Sequence, residues 1–115
     1  MTRCVDMYVE NRSEPRFACE VRVLGASTTA FAGTVRDVSV SGLCLHTQSP
    51  IEPGRLLHLD FELVTGRVEA VGEVRRVTSA DDGGLELGVR FIRISAESVD
   101  AIRCATAELV RHRGV

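Results

Sequence analysis

Arg12 and Arg16 stand four residues apart in Arg12-Ser13-Glu14-Pro15-Arg16. Further on, Asp37, Ser39 and Gly42 are spaced as D-x-S-x-x-G in Asp37-Val38-Ser39-Val40-Ser41-Gly42. These residue types suit one kind of chemistry. A guanidinium is planar, permanently charged and able to grip phosphate bidentately, and its flat face can stack on a base. A carboxylate and a hydroxyl engage the polar edge of a ligand. Glycine lets the chain turn sharply and lets a ligand approach closely. Each set also has an ordinary reading. Two arginines four apart are common on a solvated arm, and Asp, Ser and Gly are usual in tight turns. What distinguishes them is that both occur, in this order, around strand-like runs.

Up to about Pro15 the chain has no clear periodicity and reads as an arm. Pro15 disfavours helix at Glu14, so the arginine pair should lie on extended or turn-like backbone. From Arg16 the pattern is a series of strands. Cys19, Val21 and Val23 alternate with Glu20 and Arg22. A second strand is expected over Phe31–Val38, a tight turn at Ser39–Gly42, and a third strand over Leu43–Thr47. After the turn signal Pro53-Gly54 comes the cleanest alternation. Leu57, Leu59, Phe61 and Leu63 face one way; His58, Asp60 and Glu62 face the other. Thr65-Gly66 reads as a hairpin turn into a long strand over Val68–Thr78, with Gly72 a bulge or close approach. Asp81-Asp82-Gly83-Gly84 is another turn, and Leu85, Leu87, Val89 and Phe91 mark a last strand. The period then changes. Ser95 can cap a helix, Glu97 suits its first turn, and Val99, Ile102, Thr106 and Leu109 recur at helical spacing. An arm, six strands and one helix fit a sandwich or a small barrel, and closure would remove exposed edges.

The chain has 115 residues, enough for one domain and too few for two. Its net charge of −2 argues against a general DNA or RNA binder. Every basic residue is arginine, which coding bias explains except at the few positions that meet a ligand. Cys4, Cys19, Cys44 and Cys104 form no C-x-x-C pair, and His46, His58 and His112 lack metal-ligand spacing, so no metal is expected. Cys19 and Cys44 fall in strands and read as small core residues. No stretch has the length of a signal peptide or a membrane span, which points to a cytoplasmic protein with reduced thiols. Ser39 and Ser41 have no His and Asp partners in a nucleophile arrangement, so no enzyme is expected.

Taken together, the two motifs and the strand order resemble the PilZ domain family over nearly the whole chain. Pro53-Gly54 and Gly88-Val89-Arg90-Phe91 fit that resemblance as well. It implies a mainly β fold: a six-stranded antiparallel β-barrel with a C-terminal α-helix and a flexible N-terminal arm. Residues 1–15 would be the arm and residues 16–115 the barrel domain, its helix at about 95–111. The family's usual ligand is the bacterial second messenger cyclic di-GMP. By resemblance, Arg12 and Arg16 grip its phosphates and stack on its guanines, and Asp37, Ser39 and Gly42 form the pocket for a guanine. The chemistry agrees, since a carboxylate accepts hydrogen bonds from the guanine N1–H and N2–H edge.

Asn11, Ser41, Arg76 and Gly88 are further candidate contacts. The chain departs from the family at two places. Asn11 stands where another arginine is often found, and Val74-Arg75-Arg76-Val77 stands where an aromatic is often found, leaving Arg75 or Arg76 to stack on a base. The function that follows is a single-domain cyclic di-GMP receptor signalling in trans to a downstream protein, with motility or exopolysaccharide as output. It needs no cofactor and inserts into no membrane. A homodimer, or a partner docked on a helix face around Ala101, Ala105 and Leu109, is also considered. The alternative is a PilZ-like interaction module that binds no nucleotide, as in type IV pilus function.

Overall fold

A computed structural model describes residues 17–25 and 29–114, with side chains as far as residue 105. Asn11, Arg12 and Arg16 therefore lie outside the described residues. The elements are β1 (Phe17–Val23), β2 (Thr29–Ser39), β3 (Gly42–Thr47), β4 (Leu56–Leu63), β5 (Gly66–Ser79), β6 (Leu85–Ile94) and α1 (Ala96–Gly114). The strands close into a barrel in the order β1-β2-β3-β6-β5-β4, and every neighbouring pair is antiparallel.

Two-residue periodicity fills the barrel. Cys19, Val21 and Val23 from β1 meet Leu57, Leu59, Phe61 and Leu63 from β4 in one core with Leu43, Leu45, Leu87 and Val89. Burying such side chains stabilises the fold by about 1.5–3 kcal/mol each. Closure satisfies both edges of the sheet, so β1 pairs with β2 on one side and β4 on the other. The turns follow their sequence signals. Between β5 and β6, Gly83 has φ +88°, and the Gly84 N–H donates to Asp82 Oδ1 at 2.9 Å. That bond and the His46 ring hold the Asp82 carboxyl below its usual range.

The alternation breaks where the barrel needs polar groups on one face. In β2 the register shifts between Val35 and Asp37. Val35 and Val38 both point into the core, with two residues between them rather than one. The extra residue is a β-bulge. Without it, Asp37 would share Val35's core-facing side by the period of two. β5 repeats the device. Its register shifts between Val74 and Arg76, so Arg75 and Arg76 both lie outside while Val74 stays in the core and Val77 packs on it. A further shift between Val71 and Gly72 bears out the expected irregularity, and a Cβ at Gly72 would overlap Val89 Cγ1.

The helix begins as its sequence predicts, since the Ser98 N–H donates to Ser95 Oγ at 3.1 Å. It extends to Gly114, past the expected end. Its buried face shares Ile102 with the expected stripe and adds Ser98 and Ala101 to it. β6 stops at Ile94 opposite Ala70, while β5 pairs with β4 all the way to Gly66. The helix covers that part of β5. Ser98 Oγ accepts the Glu69 N–H at 3.0 Å and lies 3.3 Å from the Glu69 carbonyl oxygen. Thr65 Oγ1 donates to the Ala101 carbonyl at 2.5 Å. Ser98, Ala101 and Ile102 are buried and Ala105 packs against the core. Ala101 and Ala105 are thus packing residues and not a face left for a partner. Small side chains serve here because the helix sits close: a Cβ at Gly66 would lie 3.1 Å from Ala101 Cβ. Thr106 and Leu109 lie beyond the described side chains. No helix among the described residues is long and apolar enough to cross a membrane.

Candidate ligand-binding site

Two lateral rows cross the outer face of β2, β3, β6 and β5. In the first, Asp37 pairs with Cys44, Cys44 with Gly88, and Gly88 with Arg76. In the second, Ser39 pairs with Gly42, Gly42 with Arg90, and Arg90 with Glu73. Each row has a glycine where its neighbours carry side chains. The hollow left there is a cavity of ≈ 500 Å³. Asp37, Ser39 and Ser41 line its β2 side, Gly42, Cys44 and Gly88 lie in its middle, and Arg75 and Arg90 line its far side.

The bulge at Val35/Asp37 brings Asp37 to this cavity, yet Asp37 is only 6 % exposed and its Oδ1 is sealed from solvent. Ser39 and Ser41 organise the turn. Their hydroxyls are 3.0 Å apart, the Ser41 N–H donates to Ser39 Oγ at 3.3 Å, and the Phe91 N–H donates to the Ser41 carbonyl at 2.9 Å. The turn chemistry expected of this motif is therefore present in the same residues that line the cavity.

Gly42 needs a different explanation from the one its motif suggests. It does not have a positive φ, so no unusual turn angle requires glycine. A Cβ there would overlap the Val89 carbonyl oxygen and lie 3.2 Å from Arg90 Cα. Glycine is needed so that β3 can lie close against β6. Gly88 has a related role, for the Arg76 guanidinium crosses it, with NH2 3.7 Å from where a Cβ would be. Of the two adjacent arginines, Arg75 lines the cavity and Arg76 lies over Gly88. Arg75 is paired with Glu73 at 3.6 Å. Arg90 is exposed and makes no ion pair or side-chain hydrogen bond with a described residue.

Cys19 is a core residue as expected, and burial pushes its thiol up to about 12. Cys44 is buried in its strand as expected, to the same degree as Cys19, but it sits apart from the main core cluster and lines the cavity. Beside the site, Arg36 pairs with Glu86 at 3.3 Å and His46 with Asp82 at 3.0 Å. No cluster of three metal-ligating residues occurs among the described residues. Sequence reasoning thus found the β2 wall but did not single out Arg90 or Cys44. One signal was available: Val35-Arg36-Asp37-Val38 and Val74-Arg75-Arg76-Val77 each put two polar residues between two apolar ones, which marks a bulge in a strand.

The PilZ domain family's sequence profile matches residues 10–108. Among solved structures, the chain resembles the PilZ domain of Escherichia coli YcgR with c-di-GMP, at 14% identity and a TM-score of 0.65, over 86% of this chain and 85% of that one. It also resembles K. pneumonia MrkH in its apo state, at 18% identity and a TM-score of 0.69, over 88% of this chain and 49% of that one. Bacillus subtilis MotI/DgrA, an inhibitor of motility, matches at 15% identity and a TM-score of 0.63, over 84% of this chain and 51% of that one. The chain spans about half the length of the last two. At these identities the likeness is one of fold. No curated protein matches.

Proposed function

The chain belongs to the PilZ domain family, and from that premise we propose that it is a receptor for cyclic di-GMP rather than an enzyme. One observation carries this reading: Asp37, Ser39 and Gly42, where β2 turns into β3, line one cavity with two arginines across from them. The ligand has two phosphate charges and two flat, polar-edged bases. A shielded carboxylate suits the guanine N1–H and N2–H edge, and guanidinium groups suit phosphate.

The register supports a role for the first motif at the same place. Arg16 directly precedes Phe17, and Phe17 pairs with Val35, two residues before Asp37. Arg12 is four residues earlier, and an extended chain spans at most about 3.3–3.6 Å per residue. Both arginines are therefore on a tether short enough to reach the cavity. On this proposal residues 1–15 form an arm that orders over the ligand, a disorder-to-order switch that creates a surface for a downstream protein. The motility inhibitor among its structural neighbours makes motility a reasonable output to examine. Asn11, Ser41 and Gly88 are secondary contacts on this reading, and Arg76 an adjacent one.

Titration calorimetry tests the proposal. Wild-type protein should bind cyclic di-GMP, and Arg12→Ala/Arg16→Ala should weaken binding by about a hundredfold or more, from roughly 1.5–3 kcal/mol per charged hydrogen bond. Folded wild-type protein that binds nothing at tens of micromolar ligand (a range set by micromolar affinity near −8 kcal/mol) would leave a protein-interaction module as the better reading.

A further inference from the structure

The geometry points to Arg90 as a phosphate-binding residue of this cavity, acting from β6 and separate from both sequence motifs. The inference rests on the receptor reading above and adds to it a contact from the far wall.

Three observations support it. The first is position. Ser39, Gly42 and Arg90 form one lateral row, with glycine in the middle. Strands are spaced about 4.8 Å apart, so Arg90 stands about 10 Å from Ser39 across a gap without a side chain. That width admits a ligand between a hydroxyl on one side and a guanidinium on the other.

The second is availability. The cavity's other lining arginine, Arg75, is already paired with Glu73 at 3.6 Å. Arg90 is exposed and has no ion-pair or side-chain hydrogen-bond partner among the described residues. Among the described residues, none has to give up a contact with Arg90 for its charge to meet a ligand. A guanidinium facing hydroxyls across a cavity is suited to an anion with oxygen acceptors, which in this ligand is a phosphodiester.

The third is how Arg90 is placed. A Cβ at Gly42 would overlap the Val89 carbonyl oxygen and crowd Arg90 Cα. The glycine of the second motif thus sets how closely β3 lies to the strand that carries Arg90. Part of what Gly42 does for binding then goes through Arg90: it is a positioning residue for this contact.

The experiment is calorimetric titration of the full chain with cyclic di-GMP, comparing wild type, Arg90→Ala, Arg90→Lys and Arg103→Ala. Arg103 is exposed on α1 and serves as the matched loss of one charge. Arg90→Ala should weaken binding by about ten- to a hundredfold, while Arg103→Ala leaves it unchanged. Arg90→Lys should recover part of the loss, because a lysine still offers phosphate a point charge but not the bidentate fork. Thermal melting of each variant confirms that it is folded. Wild-type affinity in Arg90→Ala, with ligand still bound, overturns this inference and leaves the receptor reading intact. No binding by wild type overturns both readings.

Discussion

Ser98→Ala sets two opposed effects against each other at the join of helix and barrel. Alanine is the better helix former, and in an exposed turn the change would stabilise α1 by about half a kcal/mol. Ser98 is not exposed; it is buried, and its hydroxyl accepts the Glu69 N–H at 3.0 Å on the part of β5 that β6 does not reach. Removing the hydroxyl leaves that N–H covered by the helix and without its acceptor, at about 1–3 kcal/mol. The bond wins over the propensity, and the net loss is about 1–2 kcal/mol. Equilibrium urea unfolding reads it directly. With a slope of about 2 kcal/mol/M, the midpoint should fall by roughly 0.5–1 M with the slope unchanged. Ser95→Ala removes the cap at about 1 kcal/mol. Because Ser95 Oγ and Ser98 Oγ are 2.9 Å apart, the double variant should lose less than the sum of the two. A Ser98→Ala protein as stable as wild type, or more so, would refute the idea that a side chain stands in for a strand at this edge.

Other outcomes follow from the same contacts. Gly42→Ala should lower stability by about 1–3 kcal/mol, as overpacking does, because the added Cβ meets backbone that has no rotamer to move into; a melting temperature equal to wild type would contradict this. Cys19, buried and with its thiol pushed up to about 12, should stay unmodified when native protein is alkylated at neutral pH, whereas the exposed Cys104 reacts; peptide mass mapping distinguishes them. Arg67, donating from Nε at 2.9 Å and from NH2 at 2.5 Å, holds the Asp60 carboxyl below its usual range. A depressed carboxyl contributes stability above its unfolded value of about 3.9, and that contribution is lost as pH falls through the lower folded value. Asp60→Asn should therefore flatten the acid side of the stability profile below about pH 4, and an unchanged profile would count against the pair.

Much of the barrel was legible because strand alternation is local. Leu57, Leu59, Phe61 and Leu63 announce their own side of β4, and the turn residues announce the hairpins. The helix start was legible for the same reason: Ser95 caps its own first turn. The helix face was legible only at Ile102, since Ser98 and Ala101 are chosen by what lies across from them, the uncovered run of β5 and the nearby Gly66, and not by hydrophobicity.

The sequence by itself determined six strands and a helix, and it placed Asp37 at the end of one strand with Ser39 and Gly42 on the turn that follows. Residue order and a two-residue period are sufficient for that. Only the tertiary structure decided which side of the sheet Asp37 occupies, because a single extra residue at Arg36 reverses the face of everything after it. It also decided that β3 lies beside β6, which brings Arg90 next to Gly42, forty-eight positions away along the chain. A pairing of that kind depends on barrel closure, a property of all six strands together that no local stretch of sequence contains.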